Sequence, residues 1–153
     1  MKLLKYPRDI ATLKNIISKI DYSNALVPNC TKELLEKTCD EALQYDFAAV
    51  AVFPICSEYV ANRLKGSSVN SQIAVGFPCG NHFIKTCTGF GPGRATLHDL
   101  TLLKDAFGDK IKLKASGGVA SLEDALGFIE IGASRSAGRY NMIEQLDAIG
   151  YQQ

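Results

Sequence analysis

The chain has 153 residues, 46% hydrophobic and 22% charged, the size and balance of one globular domain that can bury a core without cross-links. With 17 basic and 16 acidic residues its net charge is +1, so it carries no electrostatic footprint for nucleic acid or for an anionic membrane surface. No stretch approaches the roughly 20 apolar residues that cross a bilayer, and the basic segment Met1 to Arg8, with Pro7, lacks the apolar run of a signal peptide.

In chain order, Ile10, Leu13, Ile16 and Ile17 have helical spacing within 9–19, and Ile20 with Asp21 reads as a short strand end. Thr31 is a suitable N-cap, with Glu33 in the first turn and Leu34, Leu35, Thr38, Cys39, Ala42 and Leu43 on one helix face. The run Phe47 to Phe53 (FAAVAVF) suits a strand buried on both faces, closed by Pro54. A short helix over 57–65 ends at Gly66, and Ile73 to Phe77 is expected to be the next buried strand, closed by Pro78. Phe83 to Thr88 (FIKTCT) is a third strand, followed by a Gly/Pro loop over 89–94. Thr96 caps a helix to about Phe107, and Gly108 ends it. Ile111 to Ala115 is another buried strand, followed by Ser116, Gly117 and Gly118. Ser121 and Asp124 resemble a capping box at the start of a helix that Gly132 stops near Ile131. A short strand over 133–137 and a helix over 142–149 complete the chain.

Buried strands alternating with amphipathic helices predict an α/β fold with a parallel sheet, in one domain spanning 1–153. Chemistry in such folds collects at the carboxyl ends of the strands. Five cysteines (Cys30, Cys39, Cys56, Cys79 and Cys87) are an odd number without metal-like spacing, and they read as free thiols in a reducing cytoplasm.

Two lysines stand out at those ends. Lys85 lies in an apolar strand just ahead of a glycine loop, and Lys114 takes the analogous place on the next strand. Alternation puts Lys112 and Lys114 on one face, with Ile111, Leu113 and Ala115 on the other, and puts Lys85 with Phe83 and Cys87. A Schiff base needs a neutral amine, and an ordinary lysine is protonated at pH 7. A second ammonium about 5 Å away, at an effective dielectric near 20, would cost roughly 3 kcal/mol, or about two pKa units, and desolvation adds to the effect. Lys85 is therefore the expected nucleophile and Lys114 the residue that tunes it. Edge-strand or solvent-reaching lysines are the ordinary alternative. Asp21 is the best-placed carboxylate for proton transfer; ordering of a loop would explain it as well. The glycines after Lys85 and Lys114 each precede a helix start, so they suit either an anion-binding backbone or plain turn chemistry.

The stretches FIKTCTGFG (83–91), KLKASGG (112–118) and LEDALGFIEIGA (122–133) resemble the deoxyribose-phosphate aldolase family, which reads FxKTSTGFG, VKASGG and LEDAxxxIxxGA. The resemblance also takes in Ile20–Asp21, FAAVAVFP (47–54) and IAVGFP (73–78), about four fifths of the chain. It implies a metal-free class I aldolase on a TIM-barrel scaffold. Lys85 would be the Schiff-base lysine, Lys114 its tuning partner, and Gly89, Gly117 and Gly118 the neighbours of a substrate phosphate, with Ser116 in the same loop. Family members are well over 200 residues long. The region missing here, between Pro78 and Lys85, would carry two strands, three helices, a relay aspartate and another lysine. Where the family reads RIGTSS this chain has RSAGRY (135–140), in which Arg139 could replace the missing serines as a phosphate partner.

The expectation is thus a truncated or rearranged (β/α) barrel of about six strands. It would act as a cofactor-free, cytoplasmic aldolase on a small aldehyde or deoxy-sugar, with or without a phosphate. Other lysine-imine chemistry, or a non-catalytic remnant, are the alternatives. A parallel crossover needs about ten to twelve residues, and Cys79, Gly80 and Asn81 cannot provide one. The segment must reverse tightly, bridge distant positions or cross to another subunit, and the uncovered surface predicts a homo-oligomer.

Overall fold

The computed structural model describes residues 9–74, 83–87 and 91–151. Six strands form one sheet: β1 (Ile20–Tyr22), β2 (Ala49–Val52), β3 (Asn70–Ile73), β4 (Phe83–Lys85), β5 (Lys112–Ala115) and β6 (Arg135–Gly138). Six α-helices accompany them: α1 (Ile10–Ile17), α2 (Lys32–Tyr45), α3 (Ser57–Arg63), α4 (Leu97–Phe107), α5 (Leu122–Ile131) and α6 (Tyr140–Ala148). The helix starts follow their caps. Thr31, Thr96 and Ser121 each accept a hydrogen bond from the backbone N–H three residues on, and Asp9 does the same for Ala11 and Thr12.

The sheet order is β3-β2-β1-β6-β5-β4, and every pairing is parallel. The first and last strands are thus central neighbours, while β3 and β4, consecutive in the chain, occupy opposite edges. This rules out a tight antiparallel reversal between them. The sheet also curls. Gln72 on β3 hydrogen-bonds Lys114 on β5, although β2, β1 and β6 lie between those strands in the sheet. The architecture is a curled, open half-barrel with helices, an α/β fold as expected.

Alternation along the strands sorts the two faces. Ile20, Tyr22, Val50 and Val52 join the main core with Leu13, Ile16, Leu35, Cys39, Met142 and Leu146 from the helices. Leu113 and Ala115 face a smaller cluster with Leu100, Phe128 and Ala133. The opposite, concave face receives Asp21, Gln72, Lys114 and Arg135. Asp21 is in register with Ala49 on one side and Ala137 on the other, so small side chains leave room there for long polar ones.

Two sequence expectations shift. The strand expected over 73–77 begins at Asn70 and is only partly buried, because β3 is an edge strand with no need for an apolar run. Residues 75–77 of that expectation, with Pro78 and Cys79, lie outside the described residues. The last strand starts at Arg135 rather than Ala133, so its arginine is brought into the sheet.

Candidate active site

The concave face carries a compact charged cluster. Lys85 and Lys114 are direct register partners on β4 and β5, and Arg135 is the register partner of Lys114 on β6. Because neighbouring parallel strands lie about 4.8 Å apart, three cationic side chains leave the same face from adjacent strands. Asp21 on β1 is fully buried and meets two of them. Its Oδ1 accepts a hydrogen bond from Arg135 Nη1 at 3.0 Å, and its Oδ2 is ion-paired with the Lys114 ammonium. Lys114 is 4% exposed and also donates to Gln72 Oε1 at 2.5 Å. Burying a cation this deeply is tolerable only with a carboxylate and further hydrogen bonds around it.

Lys85 stands at the edge of this cluster, where its side chain still reaches solvent. Partial desolvation of its ammonium, followed by the charge of Lys114, lowers its pKa below the ordinary lysine value; Cys87 and Asp21 act in the opposite direction. From the sequence, like-charge repulsion was expected to lead and desolvation to add to it. The geometry reorders the causes, because Asp21 offsets part of the Lys114 charge and desolvation comes first.

The end of β5 is tied to the end of β4. Thr86 Oγ1 donates to the Ser116 carbonyl at 2.9 Å and accepts from the Ser116 N–H at 3.0 Å, and the Cys87 thiol also points at the Ser116 carbonyl. Gly117 and Gly118 follow with φ of +95° and +67°. A Cβ at Gly117 would stand 1.9 Å from Cys87 Sγ, and one at Gly118 would stand 2.8 Å from Arg94 Cβ. Both glycines are thus required by left-handed backbone and by close loop packing. The start of α5 is already occupied: the Leu122 N–H donates to Gln145, the Asp124 N–H to Ser121, and Glu123 and Asp124 place acidic groups there. That helix end is less open to an anion than its sequence suggested. Arg139 is exposed at the C-terminal end of β6, on the same side as the strand ends that carry Lys85 and Ser116. Gly89 lies outside the described residues.

The structure therefore gathers Asp21, Lys85 and Lys114 into one cluster, with Ser116, Gly117 and Gly118 at its rim and Arg139 more distant. Sequence reasoning missed Arg135 and Gln72. Arg135 sits in a stretch already singled out, and alternation from Ala137 would have placed it on the inner face. Gln72 carried no signal, because its contact depends on the curl of the sheet. Among the described residues no group of His, Cys, Asp and Glu could hold a metal ion, and no helix is long and apolar enough to cross a membrane.

No protein-family model matches the chain. It is 27% identical over 207 residues to a deoxyribose-phosphate aldolase of Caldanaerobacter subterraneus subsp. tengcongensis, covering 81% of this chain and 89% of that one. It is 29% identical over 211 residues to a deoxyribose-phosphate aldolase of Caldicellulosiruptor saccharolyticus, covering 81% and 94%. Both alignments are longer than the chain itself, so the relatives contain residues that this chain lacks. Among solved structures, the tetrameric deoxyribose phosphate aldolase of Aeropyrum pernix superposes with a TM-score of 0.76 at 15% identity, covering 92% of this chain and 93% of that one. The aldolase QR15 superposes with a TM-score of 0.74 at 20% identity, covering 88% and 96%. These two likenesses establish the fold.

Proposed function

We propose that this chain, a shortened relative of the deoxyribose-phosphate aldolases, is a class I aldolase, a carbon–carbon lyase whose nucleophile is Lys85. The observation that carries the reading is the register pairing of Lys85 with Lys114 on the concave face, with the Lys85 pKa lowered by partial desolvation and by that neighbour. The neutral Lys85 amine adds to the carbonyl carbon of a short aldehyde or deoxy-sugar, and loss of water gives the iminium. In the cleavage direction the substrate hydroxyl gives up its proton, the carbon–carbon bond breaks, and its electron pair is taken into the iminium as an enamine. Protonation of the enamine carbon and hydrolysis then return the free lysine.

Both oxygens of Asp21 are engaged by cations, so its part is to hold Lys114 and Arg135 in place, while water moves the hydroxyl proton. For a phosphorylated substrate, the backbone of Gly117 and Gly118 and the Arg139 guanidinium are the partners, with Ser116 holding the loop and Gly89 retained as a phosphate neighbour on the family resemblance alone. The test is trapping: acetaldehyde and borohydride should leave one reduced adduct, located at Lys85 by peptide mass spectrometry. Labelling spread evenly over the lysines would refute the assignment.

Lys114→Met should move the pH–rate profile toward alkaline pH. The sign follows from the charges: removing an ammonium beside Lys85 stabilises the protonated form of Lys85 and raises its pKa. Because desolvation leads, the displacement should be smaller than the two units that bare repulsion at 5 Å would give. A profile that does not move would show that the two amines do not interact.

The same reading includes a homo-oligomer. Strands β3 and β4 are the two edges of the described sheet, and Ile73 on the β3 edge is 48% exposed. Open edges and apolar side chains beside them favour pairing with another copy. Sedimentation equilibrium at micromolar concentration should give a dimer or a multiple of it. A monodisperse 16.6 kDa species with full activity would refute this.

A further inference from the structure

Among the described residues, Gln72 is the one polar side chain that reaches the lysine cluster from the far edge of the sheet. It belongs to β3, whose neighbour is β2, yet its Oε1 accepts a hydrogen bond from Lys114 Nζ at 2.5 Å. Lys114 therefore has two partners of different kind. Asp21, from β1, neutralises charge; Gln72, from β3, accepts a hydrogen and neutralises nothing. A carboxylate at position 72 would satisfy the same donor, so the amide is chemically distinctive.

The charged and titratable groups around this point are Asp21 from β1, Arg135 from β6, Lys114 from β5, and Lys85 with Cys87 from the β4 end. Asp21 is shared between Lys114 and Arg135, so one negative charge serves two cations and the cluster stays net positive beside Lys85. A second carboxylate on Lys114 would cancel the excess. A neutral acceptor preserves it while fixing where the Lys114 ammonium points.

We propose that Gln72 is a positioning residue for Lys85: it aims the Lys114 ammonium across the open side of the half-barrel and leaves its positive charge intact. The inference rests on Lys85 being the reactive amine and adds the reason why an amide, not an acid, faces Lys114. It also gives a part of the short chain a role in the site that needs no further strands.

The test compares Gln72→Glu with Gln72→Leu and reads the acid–base behaviour of Lys85 directly. The pH dependence of acetylation at Lys85 by acetic anhydride is followed by peptide mass spectrometry, which does not depend on aldolase turnover. Glu keeps the acceptor and nearly the same shape, whereas Leu removes the acceptor. If Gln72 only braced the fold, Glu would be the milder change. On the present inference Glu is the more damaging one. It should raise the Lys85 pKa and lower acetylation at pH 7 about tenfold, the equivalent of one pKa unit, and Leu should lower it less. Equal acetylation in Gln72→Glu and the parent, or a fall in Gln72→Leu as large as in Gln72→Glu, would overturn the inference. Borohydride trapping of the parent in parallel separates this failure from that of the aldolase reading. If trapping fails while the two acetylation profiles differ as stated, the electrostatic role stands and the reaction is wrong.

Discussion

Lys85→Arg is expected to abolish aldehyde trapping and turnover while leaving the fold intact. The guanidinium holds its proton far above neutral pH, so essentially no molecule would offer a neutral nitrogen at pH 7. Neither desolvation at the strand end nor the Lys114 charge, which together lower the pKa of a lysine there, can bring a guanidinium into range. Size does not confuse the result, since Lys85 sits on the edge strand β4 with its side chain reaching solvent. A change at such a position costs about 0.5 kcal/mol or less, so thermal unfolding of the variant should match the parent. Trapping that persisted in Lys85→Arg would move the nucleophile to another lysine.

The largest effect on stability is expected at Asp21. Asp21→Asn preserves shape but leaves Lys114, 4% exposed, and Arg135 as cations without a carboxylate. Breaking a buried pair from one side typically costs about 3–5 kcal/mol, because the remaining charge stays buried. That is a large fraction of the roughly 5–15 kcal/mol that holds a domain of this kind together. The midpoint of urea unfolding should fall accordingly. Removing the stranded charge as well, in Asp21→Asn with Lys114→Gln, should recover part of the loss, since a pair replaced by neutral groups is far less costly than half a pair. An unchanged midpoint in Asp21→Asn would mean that the cluster contributes nothing to folding.

Much of this was legible in the chain, and the reasons differ from element to element. Thr31, Thr96 and Ser121 announced their helices because an N-cap is a local device, settled within three or four residues. The strand around Ala49–Val52 announced itself because both its faces are buried. Lys85 and Lys114 were visible because a charge in an apolar strand is anomalous wherever the strand goes. What depended on strand order was hidden. The edge strand over 70–73 opens on polar residues (Asn70, Ser71, Gln72) and has no partner on one side in the described sheet, so no apolar run marks it. The contacts of Asp21 with Lys114 and Arg135 require β1 and β6 to be adjacent, which no local pattern encodes. Asp21 looked like a strand-end residue and is instead the centre of the cluster, with alanines in register on both sides.

The sheet order also sets the timing of folding. The order β3-β2-β1-β6-β5-β4 consists of two blocks of three strands joined along a single seam, β1 against β6. That seam links parts of the chain far apart in sequence: Ser23 donates a hydrogen bond to the carbonyl of Gly138, 115 residues on. Loop closure over such a distance is entropically costly and slow. During synthesis the first block is therefore complete long before its partner, and the flank of β1 that will receive β6 stays open until residue 138 has left the ribosome. A strand edge left open that long is a template for wrong pairing. The charge of Asp21 in the middle of β1, awaiting Lys114 and Arg135, makes that edge a poor partner for another apolar strand.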